Sequence, residues 1–341
     1  MVKLLGKTPR ELSEEAVQCG LKPFAGRQIA QWIYEKKVRS FDAMTNLSKE
    51  ARQILPGRAE LGVSLPVSKA VSADGTSKYL FRTDTSVIES VVIPDGERRT
   101  LCVSSQAGCG MNCAFCMTGR NGYHGQLDAA GILNQFVSVD EASQLTNAVF
   151  MGMGEPFANY DAVSRAIEVL TAPWGFGWSP KRITVSTIGI IPRLEQYLAE
   201  HKTHLAVSLH NPFGEERLQL MPVEKAYPIK DVVALVRRYD WSGQRRVSFE
   251  YTMFAGWNDS RRHADALIRL LKGLECRVNL IRFHRIPDFP YGTSPDRVME
   301  EFRDRLNNNG ITCTIRASRG EDIMAACGLL AGMSENPRNH D

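Results

Sequence analysis

From about residue 98 onward the chain alternates strand-like and helix-like runs, and that alternation limits its fold more than any other feature. Strand candidates lie at 100–105, 148–153, 182–187, 204–210, 247–254 and 277–283. Between them, runs such as 129–139, 190–200, 229–239 and 260–274 carry apolar residues at helical spacing. Strands separated by helices run parallel, each pair joined by a crossover. Six such units suit an open or partial barrel better than a closed eight-stranded one. A further helix (295–308), a strand (311–317) and a helical segment (321–330) follow, and the tail after Gly332 is expected to fray.

The chain before residue 98 has a different texture. Thr8-Pro9-Arg10-Glu11 has the form of a capping box with proline at the first helical position. Helical patterns over 11–19, 25–37 and 48–55 make a small module of three short helices. Runs at 66–70, 78–82 and 87–93 are β-branched and alternating, with turn signals at Asp74-Gly75 and Pro94-Asp95-Gly96. The expected organisation is a helical module over 1–60, an antiparallel β linker over 61–97, a barrel over 98–290 and a C-terminal extension over 291–341.

Composition narrows the class. Among 341 residues, 43% are hydrophobic and 23% charged, as in a globular protein with a sizeable core. No apolar run approaches the ~18 residues a membrane span needs. The opening MVKLLGKTPRELSEEA turns charged too soon for a secretory signal, so a cytoplasmic location without membrane contact is expected. The net charge of +4 is concentrated. Residues 1–60 hold 11 Lys/Arg against 7 Asp/Glu, leaving 31 of each sign elsewhere. A basic module on a neutral body fits contact with a polyanion, although a solvated helical surface reads the same way.

Eight cysteines fall at 19, 102, 109, 113, 116, 276, 313 and 327. Disulfide staples are not expected in a cytosolic chain of this size, so the cluster at 102–116 points to metal or redox chemistry. Cys109-x3-Cys113-x2-Cys116 directly follows the first barrel strand, and three thiolates in one short loop can converge on a soft metal centre. Zinc would want four protein ligands, or three and a water, and His124 could supply the fourth. An electron-carrying iron–sulfur cube wants four cysteines, whereas a three-cysteine cube leaves one iron open to a ligand. In parallel sheets chemistry gathers at the C-terminal strand ends. Applied here, that rule selects Cys109, Cys113 and Cys116, then Gly152-Met153-Gly154-Glu155-Pro156, Ser186-Thr187, Ser208-Leu209-His210 and Arg282-Phe283-His284.

The C-x3-C-x2-C spacing with Phe115 before the third cysteine resembles the radical SAM superfamily signature, and Gly152-Met153-Gly154-Glu155 is similar to its glycine-rich second-strand motif. LCVSSQAGCGMNCAFCMTG, MGMGEP, AVSLH and RGEDIMAACG together resemble the RlmN/Cfr family of radical SAM RNA methyltransferases over roughly residues 5 to 332, most like its RlmN branch. The resemblance implies an α/β fold: a radical SAM partial (β/α)6 barrel with a small N-terminal helical module and a short antiparallel β linker. It implies a [4Fe-4S] cluster on Cys109, Cys113 and Cys116, with S-adenosylmethionine on the open iron. Gly154, Glu155, Ser186, Ser208, Leu209, His210 and His284 would contact that cofactor. The chain departs from the family at His284, often asparagine there. It departs again at Gly122-Tyr123-His124-Gly125, where many members carry asparagine or lysine followed by arginine.

Adenine C2 and C8 are electrophilic, so polar attack on the cofactor methyl group is closed to them. By resemblance, one S-adenosylmethionine methylates Cys327. A second yields a 5′-deoxyadenosyl radical, and the carbon radical made on the S-methyl group adds to the base. Cys102 would then attack the Cys327 sulfur, forming a transient disulfide that frees the product. Glu89, 20 residues before Cys109, would accept the proton, its pKa raised in an apolar strand. The implied activity is methylation at C2 of an adenosine in 23S rRNA, and in tRNA next to the anticodon. Expected partners are those RNAs, met as unstacked adenosines by the basic module and cations such as Lys181, Arg316 and Arg319, and a flavodoxin-like electron donor to a monomer. C8 methylation is the alternative within this chemistry, and a non-catalytic cluster- or zinc-bearing RNA-binding protein the alternative outside it.

Overall fold

The computed structural model describes residues 1–243 and 245–331, so the tail after Gly332 lies outside the described residues. The alternating region forms parallel strands, and the runs before it add antiparallel strands to the same ten-stranded sheet. In chain order the strands are β1 (Ser68–Val71), β2 (Ser77–Arg82), β3 (Val87–Asp95), β4 (Arg98–Cys102), β5 (Asn147–Phe150), β6 (Ile183–Thr187), β7 (His204–Ser208), β8 (Val247–Met253), β9 (Arg277–Arg282) and β10 (Thr312–Ile315). Lateral order follows chain order, with β1 and β10 at the two edges, so the sheet is an open barrel. Pairs from β1 to β4 are antiparallel and pairs from β4 to β10 are parallel. The segment read as a linker is therefore continuous with the barrel sheet, joined through the β3–β4 hairpin.

Register sorts the residues of this sheet into two faces, because ladder partners point the same way and alternate along each strand. One face carries Phe81, Ile88, Leu101, Phe150, Val185, Val207, Phe249, Tyr251, Val278 and Leu280, all buried. Helices cover it. Tyr160–Thr171, for example, buries Val163, Ala166, Ile167 and Leu170 at helical spacing, and Phe302 of Asp296–Asn308 meets Tyr251 at 5.3 Å. The opposite face carries Lys78, Glu89, Cys102, Ser186, Ser208, Glu250, Asn279 and Thr314, a polar lining for the hollow of the barrel.

The N-terminal module begins with the expected capping box: Thr8 Oγ1 accepts from the Glu11 N–H at 3.2 Å, and a Glu11 oxygen accepts from the Thr8 N–H. Its helices share one hydrophobic core with the barrel. Tyr34 anchors it, stacking edge-on against Trp174 at 5.6 Å while its hydroxyl donates to the Lys7 carbonyl and accepts from the Gly6 N–H. Lys37 Nζ reaches across to the Ala142 carbonyl at 2.7 Å.

Two expected helices are corrected. The 25–37 pattern forms an α-helix only over Ala25–Ala30, then winds on as a π-helical turn over Gln31–Glu35. Of 321–330 only Glu321–Ile323 is helical. Gly320, Met324 and Gly328 take φ of 63°, 53° and 83°, which no right-handed helix admits, so the segment runs as an irregular strap whose Ala325, Ala326, Leu329 and Leu330 are buried.

The first two helices cross at Gly26, where a Cβ would stand 2.3 Å from the Ser13 backbone nitrogen. Gly26→Ala should therefore destabilise the module by about 1–3 kcal/mol through overpacking, read as an earlier urea transition in tryptophan fluorescence. An unchanged midpoint would mean the crossing relaxes freely.

Candidate functional site

The cysteine loop springs from the end of β4. Gln106–Gly108 pairs antiparallel with Tyr123–Gln126, and the Cys109 N–H donates to the Gly122 carbonyl at 2.8 Å, closing the loop at its base. Inside it the Cys116 N–H donates to the Cys113 carbonyl, and Gly119 sits so near Cys113 that a Cβ would approach its nitrogen to 3.1 Å. Phe115 packs on His210 at 4.8 Å and on Phe254 at 5.6 Å. Burial pushes the Cys109 thiol up to about 12 and the Cys113 thiol well above its usual range, and the neighbouring cysteine sulfurs add to both shifts. The Cys109, Cys113 and Cys116 sulfurs lie within electrostatic reach of one another, a soft donor set that suits a cationic iron–sulfur centre. His124 lies exposed on the outer strand of this ribbon, beside Gly108.

The glycine-rich motif follows β5. Gly152 and Gly154 press against segment 103–106, where a Cβ would meet Val103 O at 2.7 Å and Gln106 Cβ at 2.5 Å, so these glycines serve strand packing as well as any ligand. Glu155 is buried beside them. Burial raises its carboxyl to about 7, against hydrogen bonds from Thr187 Oγ1 at 2.7 Å and the Ile188 and Phe157 N–H groups at 3.0 Å. Ser186 and Ser208 line the hollow on β6 and β7, while Leu209 is fully buried. His210 adopts φ of 55°, its Nδ1 accepts from the Thr252 N–H at 2.9 Å, and burial with nearby Arg217 lowers it to about 3. The ring is neutral, with its proton on Nε2.

Arg217 escaped the sequence reading. This fully buried guanidinium pairs with Glu224, donates to the Leu209, Ile188 and Ser208 carbonyls, and lies within electrostatic reach of Cys113. It ties the ends of β6 and β7 together behind the cysteine loop. Nothing in the surrounding GEERLQLMPVEK pattern distinguishes it from a surface arginine.

Cys102 and Cys327 approach each other in the hollow, and Glu89 lies on the same face of the sheet. Cys102 and Val91 are ladder partners, so Glu89, two residues along β3, shares the face of Cys102. Glu89 is 4% exposed, but its surroundings are not apolar as expected: it forms an ion pair with Lys78 at 3.1 Å and accepts from the Ala331 N–H at 2.8 Å. The backbone around it is fixed by Ser104, whose hydroxyl donates to the Glu89 carbonyl, and by Gln135, which bonds both Ser90 and Ser104. Burial raises Cys102 to about 12, and the Cys327 sulfur is near enough to add to the shift. Cys327 is open to solvent from the hollow yet surrounded by enough protein to raise it to about 12 as well. Cys116 and Glu250 push in the same direction and Arg316 opposes them. Glu250, 5% exposed on β8, was not singled out from sequence, since one acid in VSFEYTM reads as an ordinary strand residue.

His284, expected near the cofactor, is engaged by the C-terminal strap: Nε2 lies 3.2 Å from Ser318 Oγ and Nδ1 3.4 Å from Glu321 Oε1. Of the cations expected to meet RNA, Arg316 lies at the end of β10 facing the hollow, and Arg319 is drawn toward Asp95 at 3.9 Å.

In metal-free protein, iodoacetamide should alkylate Cys327 slowly at about pH 8 despite its exposure, with a rate rising about tenfold per pH unit, because only the thiolate reacts. Glu250→Gln removes an anion that holds this thiol up, so alkylation at fixed pH should accelerate. Peptide mass spectrometry at Cys327 reads the rate, and a slower variant would contradict the electrostatic assignment.

Family comparisons agree with this architecture. A model described as the radical SAM superfamily matches residues 103–268, and one described as the ribosomal RNA large subunit methyltransferase N-terminal domain matches residues 2–61. The chain is 56% identical over 329 residues to the probable dual-specificity RNA methyltransferase RlmN of Porphyromonas gingivalis, covering 96% of each chain. It is 40% identical over 344 residues to the dual-specificity RNA methyltransferase RlmN of Alcanivorax borkumensis, covering 97% of this chain and 90% of that protein. The crystal structure of a radical SAM methyltransferase from Sphaerobacter thermophilus superposes with a TM-score of 0.93 at 40% identity, covering 98% of this chain and 100% of that one. The chain belongs to the RlmN family of S-adenosylmethionine-dependent radical SAM RNA methyltransferases.

Proposed function

We propose that this protein methylates C2 of an adenosine in 23S rRNA, and of an adenosine next to the tRNA anticodon, through S-methylated Cys327. The observation that carries the reading is that the Cys327 sulfur lies within electrostatic reach of both Cys116 of the cysteine loop and Cys102 in the polar hollow. A methyl carrier needs a route to a methyl source on one side and to a resolving thiol on the other. The alternative of a non-catalytic RNA-binding protein gives no reason to collect these thiols on a polar face.

Cys109, Cys113 and Cys116 would hold a [4Fe-4S] cluster, and Gly154, Glu155, Ser186, Ser208, Leu209, His210 and His284 would contact S-adenosylmethionine. When bound, the pair supplies a methyl group and, after one-electron reduction by a flavodoxin-like donor, radical chemistry. The chain's own residues do the rest. Cys327 sulfur takes the methyl group and then links protein to base. Glu89 receives the proton displaced from the adenine carbon, with Lys78 balancing its charge until then. Cys102, on losing its thiol proton, attacks the Cys327 sulfur, so that an S–S bond forms as the Cys327 S–C bond breaks; the electron pair stays with that carbon, which takes up a proton to become the methyl group on the base.

Domain roles follow the same reading: RNA binding by 1–60, an antiparallel extension of the barrel sheet over 61–97, the barrel over 98–290, and a C-terminal extension from 291 that delivers Cys327. Lys22, Arg27, Lys36, Lys49 and Arg58 are exposed on the module and suit phosphate contacts, which makes binding salt-dependent. We read the protein as a cytoplasmic monomer; no helix among the described residues is long and apolar enough to cross a membrane.

Anaerobic reaction of cluster-loaded protein with methyl-labelled S-adenosylmethionine and unmodified 23S rRNA fragments or tRNA should place label in 2-methyladenosine on nucleoside mass spectrometry. Label in 8-methyladenosine would reassign the target carbon, and no labelled adenosine would overturn the reading. Cys102→Ala should trap a covalent protein–RNA species that migrates slowly in denaturing gels. Normal turnover without that species would remove the disulfide step.

A further inference from the structure

The strap that carries Cys327 is held at two ends by different parts of the fold. At its far end Thr118 Oγ1 donates to the Leu330 carbonyl at 2.5 Å, Asn121 Nδ2 to the Ala331 carbonyl at 2.7 Å, and the Ala331 N–H to Glu89. At its near end it meets the tight turn between β1 and β2, and the two segments touch directly. The contact is reciprocal. Asp322 of the strap accepts from Ser72 Oγ at 2.5 Å and from the Ala73 N–H at 3.1 Å. Asp74 of the turn accepts from the Gly320 N–H of the strap at 3.1 Å and from the Thr76 N–H at 2.9 Å.

Between these ends Ala325, Ala326, Leu329 and Leu330 are buried while Cys327 itself stays exposed. The Met117 N–H donates to the Gly328 carbonyl, the Ala325 N–H to the Gly320 carbonyl, and Met324 and Cys327 face solvent. Two carboxylates placed to accept only from the opposing segment and its own turn make a specific fastening, not a general surface contact. Burial would raise Asp74, yet its donors hold it at about 2, and the Ser72 and Ala73 donors likewise keep Asp322 below its usual value.

We propose that Asp74 and Asp322 are positioning residues, a clasp between the β1–β2 turn and the C-terminal strap that sets the reach of Cys327 within the hollow. The proposal rests on the reading of Cys327 as methyl carrier. A thiol that must meet a methyl source, a base and Cys102 in turn needs its strap anchored on both sides, and the clasp supplies the anchor that the cysteine loop does not.

The test uses cluster-loaded full-length protein and the variants Asp322→Ala, Asp322→Asn and Ser72→Ala. Asp322→Ala should lower kcat for RNA methylation by about tenfold or more with KM for RNA within about twofold, because a displaced reacting group loses rate before it loses binding. Iodoacetamide labelling of Cys327, read by peptide mass spectrometry without S-adenosylmethionine, should rise about fivefold or more as the strap loosens. Asp322→Asn and Ser72→Ala each leave part of the clasp and should fall between wild type and Asp322→Ala in both readouts, and they carry the test if Asp322→Ala does not fold. Wild-type labelling in all soluble variants overturns the proposal, whether or not activity falls. Cys327→Ala, run in parallel, separates the two ideas: if it still methylates RNA the carrier reading fails, while a change in Cys327 labelling in the clasp variants still reports on the clasp.

Discussion

The sheet has one dry face and one wet face, and the site exists because the register keeps them apart. Along β6 the apolar Ile183 and Val185 are buried while Thr184 and Ser186 stay partly accessible, and β5, β9 and β10 repeat the alternation. Helices seal the dry face, so the polar residues of neighbouring strands are collected on the other. A slip of one residue in any strand would send its polar set into the helix layer. Glu89, Cys102, Ser186, Ser208 and Glu250, scattered between positions 89 and 250 of the sequence, share one surface for this reason alone.

Burial sets the electrostatics of that surface. It raises the thiols of Cys102, Cys109, Cys113 and Cys327 and the carboxyls of Glu155 and Glu250, so the ligand-free protein disfavours negative charge where a cationic centre and a sulfonium cofactor would sit. Fixed compensation is sparse and specific: Arg217 behind the cysteine loop and Lys78 against Glu89. Arg217 also binds three carbonyls at the ends of β6 and β7, so the same guanidinium that faces Cys113 holds the strand ends on which Ser208 and His210 depend.

The Ser104–Gln135 network and the glycine contacts at 152 and 154 pin the floor of the hollow, whereas the strap leaves Cys327 exposed between two left-handed residues, Met324 and Gly328, while its apolar neighbours are buried. A pinned floor with one exposed thiol suits a sequence of reactions in which a single sulfur changes partners.

Much of this was legible in the chain. Alternating strands and helices determine a parallel open barrel, the loop after its first strand holds C-x3-C-x2-C, and Gly-Met-Gly-Glu and Ser-Leu-His fall at strand ends, because local periodicity and spacing are written directly in sequence. The helix expected over 321–330 failed because apolar spacing alone cannot reveal the positive φ of Met324 or the tertiary hooks that stretch the strap. Arg217, the Lys78–Glu89 pair, Glu250 beside Cys327 and the engagement of His284 by Ser318 and Glu321 were decided only by tertiary structure. Each depends on which strands become neighbours and on how far a side chain is taken from water, and neither quantity exists until the sheet has closed around its hollow.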